Sequence, residues 1–191
     1  MNIFTFTQDY FVQKFTPLIR YLHYSILVLV LLQLILSNFM AVSDKGVIGD
    51  GVLEYFSTWA HIGIGISLVL LSIVFAIVEL SKHGFLYFYP YFYGDFSQLT
   101  NDIKTLLSFQ IPESSPKGIA PIIQGLGLAG LVLVALSGGI WFILWLANFP
   151  LSSDAKGVHE LLTGLIEAYV IGHGGMGLIH MFITFKNQKI A

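Results

Sequence analysis

The stretch His159-Glu-Leu-Leu-Thr-Gly-Leu-Ile-Glu-Ala-Tyr-Val-Ile-Gly-His173-Gly-Gly-Met-Gly-Leu-Ile-His180 sets three histidines at intervals of fourteen and seven in an otherwise apolar run. At about 100° per residue, fourteen steps return to within about 40° of the starting direction and seven to within about 20°. All three imidazoles therefore lie near one face of a helix. With a rise of about 1.5 Å per residue, His159 and His173 stand roughly 21 Å apart along the axis, and His180 roughly 10 Å further. These are the dimensions of a relay within a bilayer.

The rest of the chain is built to hold such a helix in lipid. Of 191 residues 55% are hydrophobic and only 10% charged, and the mean hydropathy is +0.79, well away from the quarter charged of a soluble domain. Four long apolar runs with short polar breaks leave no room for a separate soluble core, so residues 1–191 are read as one membrane-embedded domain. The expected class is an all-α membrane protein, a four-helix transmembrane bundle with spans at about 18–42, 57–81, 116–148 and 157–185. No cleaved signal is expected, because the first apolar run is too long for a signal-peptide core. The chain has no cysteine, which excludes disulfides, thiolate-held iron-sulfur clusters and covalently attached c-type haem. Nothing in the sequence points to nucleic acid.

Local signals place the boundaries. Asp44, Lys45, Gly46, Gly49 and Gly51 end the first span, and Ser57 or Thr58 is the expected cap of the second. Ser115-Pro116 reads as cap and first residue of the third, and Ser152-Ser153-Asp154 as the cap of the fourth. Between the second and third spans, the cluster Phe85-Leu-Tyr-Phe-Tyr-Pro-Tyr-Phe-Tyr93 suits a headgroup-level belt. It is followed by Phe96, Leu99, Ile103, Leu106 and Leu107 at helical spacing beside Asp95, Asn101, Asp102 and Lys104, an amphipathic helix expected to lie on the membrane. Of nine basic residues, Lys14, Arg20, Lys82, Lys104, Lys117, Lys186 and Lys189 fall on one side, and only Lys45 and Lys156 on the other. Both termini are therefore expected in the cytoplasm.

That orientation assigns depth to the histidines. His61 and His159 lie near the outer ends of their helices, His23 near the inner end of the first, His173 in the inner half of the fourth, and His180 at the inner rim. A single imidazole in an apolar span is commonly a helix-helix hydrogen-bonding residue. A set that pairs by depth, His61 with His159 and His23 with His173, is better explained by two bis-histidine haem sites stacked across the bilayer. A His23/His180 pair is also open on depth alone. Gly63, Gly65, Gly172, Gly174, Gly175 and Gly177 would give a flat porphyrin clearance, or equally let helices pack closely. Gly125, Gly127, Gly130, Gly138 and Gly139 in the third span have the same two uses. Two axial imidazoles leave the iron no open position, which favours electron transfer. Zinc or copper would need more ligands converging on one point. Glu167 falls mid-membrane, where an acid costs about 2.5–3.5 kcal/mol. It reads as a protonated carboxyl hydrogen-bonded between the haems or as a member of a proton path. Arg20 and Lys117 on the inner side, and Lys45 and Lys156 on the outer, are candidate partners of haem propionates.

These residues carry a resemblance. His159-Glu160, the fourteen-residue step to Gly172-His173, the small residues after it and the third histidine at His180 resemble helix four of the bacterial cytochrome b561 family. These are four-helix di-haem b-type cytochromes related to the cytochrome b subunits of nickel-iron hydrogenases and to superoxide:quinone oxidoreductases. His23 in helix one and His61-Ile-Gly-Ile-Gly in helix two also fit, so the likeness covers all four spans; the loops match less well, and Gln124 stands where relatives often have histidine. The resemblance implies two haem b groups, an inner one between His23 and His173 and an outer one between His61 and His159. Arg20, Gly65 and Gly174 are expected around the cofactors, and His180 with Lys117 at a quinone site near the inner haem. The expected function is transfer of electrons across the bacterial inner membrane between the quinone pool and a periplasmic redox protein, such as a c-type cytochrome or a dehydrogenase. The acidic outer loops, with Asp44, Asp50, Glu54 and Asp154, suit a basic docking face. A superoxide oxidase that reduces ubiquinone is the alternative within the class. A haem-free scaffold or small transporter is the alternative outside it.

Overall fold

The computed structural model describes residues 6–7, 11–12, 15–43 and 46–190, with side chains to Lys186. Lys14, Asp44, Lys45 and the side chain of Lys189 lie outside the described residues. Four helices are long and apolar enough to cross a membrane: α1 (Pro17–Ser37), α2 (Val52–His83), α5 (Ile119–Leu146) and α6 (Ser152–Ile190, apolar through Lys186). Two shorter helices, α3 (Phe85–Phe88) and α4 (Ser97–Leu107), lie between α2 and α5, separated by a 3-10 turn at Pro90–Tyr93.

The helices differ from the sequence expectation at their ends, each time for a visible reason. Pro17 opens α1 where a missing N–H costs nothing. The helix stops at Ser37 rather than near residue 42. The side chains of Ser37 and Asn38 both donate to the Leu34 carbonyl, at 2.8 and 2.6 Å, taking the acceptor that a further turn would use. The chain then makes a narrow loop, with a bridge between Val42 and Ile48. Its left-handed Gly46 lies under Trp145, whose indole Nε1 donates to the Gly46 carbonyl at 2.9 Å. A side chain at Gly46 would collide with that ring.

α2 begins five residues earlier than expected. Gly51 is its cap, and the Glu54 carboxylate accepts the Gly51 N–H at 3.3 Å. Thr58 is inside the helix, with its hydroxyl donated to the Glu54 carbonyl. α5 begins at Ile119, not at Pro116, because Lys117 has a left-handed φ of 64°. The role expected of Ser115 is taken by Asp102 of α4, whose Oδ2 accepts the Ile119 N–H at 2.7 Å. Ser152, Ser153 and Asp154 form the first turn of α6 rather than preceding it.

The aromatic cluster divides. Phe88, Tyr89 and Pro90 are buried against α5, and the Tyr89 hydroxyl donates to the Gly125 carbonyl at 2.7 Å. Gly125 admits them, since a Cβ there would come within 2.7 Å of the Phe88 Cβ. Phe85, Phe92 and Tyr93 remain exposed, as a belt residue would. Nearby, Lys117 donates to Asp95 at 3.0 Å, and Ser97 donates to the same carboxylate through both backbone and hydroxyl. These bonds hold the half-buried Asp95 carboxyl down to about 2, with Ser97 the larger cause.

α1 packs on α2, α2 on α5 and α5 on α6, so α1 and α6 face each other across the remaining side of the bundle. One buried apolar cluster takes Ile26 and Val30 from α1, Leu68 from α2, Leu131 from α5 and Ile166 from α6. Outside, Leu70, Ile143, Leu161 and Ile171 are all well exposed, the arrangement of a bundle whose outer solvent is hydrocarbon.

Candidate functional site

Ile166 is seven residues from both His159 and His173, so the apolar cluster lies at mid-height between them. Above and below it the structure assembles two histidine pairs. The rings of His61 on α2 and His159 on α6 have their centres 6.3 Å apart. Those of His23 on α1 and His173 on α6 are 6.4 Å apart. Each pair thus joins two helices that are not sequence neighbours. His23 and His180 make no ring contact among the described residues, and His180 follows His173 by two turns toward the C-terminal end of α6.

An imidazole nitrogen bonds a metal at about 2.0 Å, which puts its ring centre roughly 3 Å from the ion, so two axial imidazoles stand about 6 Å apart centre to centre. Both pairs have that separation. Among the described residues no group of three or more histidine, cysteine or acidic side chains converges on one point. Each site brings two imidazoles together.

The second ring nitrogen of His159 is already held. Its Nδ1 lies 3.0 Å from the Ser137 hydroxyl on α5, while that hydroxyl donates to the Val134 carbonyl at 2.8 Å. Gly138 makes the approach feasible, because a Cβ there would lie 2.9 Å from the His159 ring. On the opposite side Gln33 of α1 donates to the His61 carbonyl at 2.9 Å. The His23–His173 pair is held by aromatic rings. Phe15 stacks near-parallel on His23 at 6.2 Å, with Tyr24 and Phe75 edge-on. Tyr169 stacks on His173 at 4.9 Å and 9°. Gly127 of α5 has no side chain where the Tyr169 ring lies.

The glycines expected to clear a cofactor separate into two sets. Gly63, Gly172, Gly174, Gly175 and Gly177 face open space. Gly65 makes room for Gln33, whose Nε2 would lie 3.0 Å from a Cβ at that position. Arg20 lies three residues before His23, its guanidinium over the Tyr21 ring at 5.6 Å. Lys117 is engaged with Asp95, and Lys156 with Glu160 at 3.1 Å. Glu167 is exposed and makes no hydrogen bond among the described residues, so the expected buried bond between the sites is absent. Packing of the Ile166 and Tyr169 face against α5 turns Glu167 outward, about 80° around α6 from His159. Gln124 is likewise exposed.

Sequence reasoning passed over Ser137, Gln33 and Tyr169. Tyr169 had a readable signal, since it stands four residues before His173 and shares its face. Ser137 and Gln33 had none, because they reach the histidines from other helices.

A family model described as prokaryotic cytochrome b561 matches residues 14–187. No curated protein and no solved structure matches the chain.

Proposed function

Since the chain belongs to the prokaryotic cytochrome b561 family, whose members are membrane b-type cytochromes that bind haem b and transfer electrons, we propose that it carries electrons across the bacterial inner membrane through two haems. The observation that carries this is the pair of imidazole couples, 6.3 and 6.4 Å between ring centres, on either side of one apolar cluster. A bound haem supplies a one-electron couple with no open coordination position when both axial ligands are histidine.

The residues perform the rest. His61 and His159 hold the outer group, His23 and His173 the inner one, and the open faces at Gly63, Gly172 and Gly174 leave room beside the ligands. The helix sets His159 and His173, which would hold the two groups, roughly 21 Å apart along α6. Leu68, Leu131 and Ile166 exclude water between them.

The excess of basic residues at Arg20, Lys82, Lys104, Lys117 and Lys186 supports an orientation with both termini in the cytoplasm. In it, α4 lies along the inner interface. A quinone is then taken at the inner rim, beside His180. The opposite face carries Asp50, Glu54, Asp154 and Glu160, and the one described lysine there, Lys156, is paired with Glu160. That acidic face fits a basic periplasmic redox protein.

The test is haem content and the reduced spectrum of the purified protein. The expected result is a b-type α-band with two haems per chain, and one haem per chain in His61→Ala. One haem in the unmodified protein, or no loss in His61→Ala, overturns the reading.

A further inference from the structure

Three buried side-chain atoms among the described residues have no hydrogen-bond partner: Gln33 Oε1, Ser57 Oγ and His61 Nδ1. All three fall at the outer histidine pair. Ser57 stands one turn before His61 on the same face of α2, and Gln33 touches the His61 carbonyl. An unpaired buried polar group costs about 1–3 kcal/mol, so three in one place mark a site whose arrangement is completed by something else.

His159, the opposite ligand, already has a serine beside its far nitrogen. A serine hydroxyl has one proton to give, and Ser137 gives it to the Val134 carbonyl. Its oxygen lies 3.0 Å from His159 Nδ1. With Nε2 as the haem ligand, the neutral ring keeps its proton on Nδ1, and Ser137 Oγ is placed to accept it. On α2, side chains lean toward the helix N-terminus, which carries the His61 imidazole back over Ser57. A bond from His61 Nδ1–H to Ser57 Oγ would satisfy two of the three orphaned atoms at once and leave Nε2 as the ligand, the same tautomer as at His159.

We propose that Ser137 and Ser57 are positioning residues of the outer haem, accepting the Nδ1 protons of His159 and His61 and so poising the outer site at a lower reduction potential than the inner. A hydrogen-bond acceptor on the far nitrogen raises the basicity of a ligating imidazole, which favours the oxidised iron. Among the described residues no side chain hydrogen-bonds to the ring of His23 or His173, which are packed by Phe15 and Tyr169 instead. Electrons entering at the outer face then run downhill to the inner rim. This inference rests on the two-haem reading above.

The experiment is a potentiometric titration of the purified holoprotein and of Ser57→Ala, Ser137→Ala, Ser57→Thr and Gln33→Leu, with His61→Ala identifying the inner couple. In both alanine variants the outer couple is expected to move upward, by as much as tenfold in the reduction equilibrium, about 59 mV for one electron. The inner couple stays in place, and Ser57→Thr keeps the original value. Two haems with an unmoved outer couple in both alanine variants would overturn the proposal. A shift in Gln33→Leu but not in Ser57→Ala would overturn the assignment to Ser57, and an outer couple above the inner in the unmodified protein would overturn the direction. Absence of haem from the unmodified protein would instead defeat the two-haem reading. Ser57 and Ser137 lie on different helices, so one misfolded variant leaves the other decisive.

Discussion

Gly138 and Gly127 do equivalent work for the two sites. One lets the His159 ring approach α5, and the other lets in the Tyr169 ring that stacks on His173. Adding a methyl group at either place forces a shift, because each position is already filled by a ring that packing cannot readily move. Overpacking of this kind costs about 1–3 kcal/mol, which is roughly 5- to 150-fold in the equilibrium it acts on. Gly138→Ala should therefore lower occupancy of the outer haem while the inner one is retained. Gly127→Ala should do the reverse. Haem-to-protein ratios and the residual redox couple distinguish them, and loss of the same haem in both variants would contradict the geometry. Gly174→Ala, which faces open space, tests the clearance separately: it should weaken haem retention only if a macrocycle lies against that face.

At the scale of elements, α4 is joined to α5 by a buried acid. Asp102 is 4% exposed, and its two oxygens accept from Ile119 N–H and Gln98 Nε2, each at 2.7 Å. It serves as the cap of α5 although it belongs to another helix, because Lys117 interrupts the chain just before Ile119. Asp102→Ala removes a charged acceptor from a helix N-terminus, a change of about 0.5–2 kcal/mol for a cap. Thermal unfolding in detergent should show a lower midpoint, with hydrogen exchange rising first at 97–107 and at the start of α5. Asp102→Asn, which keeps one acceptor, should recover part of the loss. Unchanged exchange in α4 would mean that the helix is held by its apolar face alone. The Ser37 and Asn38 bonds to Leu34 and the Glu54 bond to Gly51 act likewise at the end of α1 and the start of α2.

For the whole molecule, the exposed Leu, Ile and Val side chains of all four long helices face outward, while small polar residues such as Ser57, Thr58 and Ser72 are buried within. This inversion belongs to a bundle solvated by lipid. The proposed orientation predicts that an alkaline phosphatase fused after Lys186 is inactive in cells, and that one inserted in the 43–49 loop is active. The opposite pattern would exchange the two sites and place the quinone at the other membrane surface.

Hydropathy and helical periodicity in the sequence were enough to determine four apolar helices and to set His159 and His173 near one helix face. They were enough because burial in lipid and the 3.6-residue repeat act locally along the chain. The tertiary structure alone decided that His173 rather than His180 meets His23, that Glu167 turns outward, and that Gly65 serves Gln33. It also decided that the Ser137 hydroxyl stands 3.0 Å from His159 Nδ1. Each of these depends on which helix packs beside which, and at what rotation. α5 determines the rotation of α6 through Gly127 and Gly138, and no periodicity within α6 encodes the place of those two glycines.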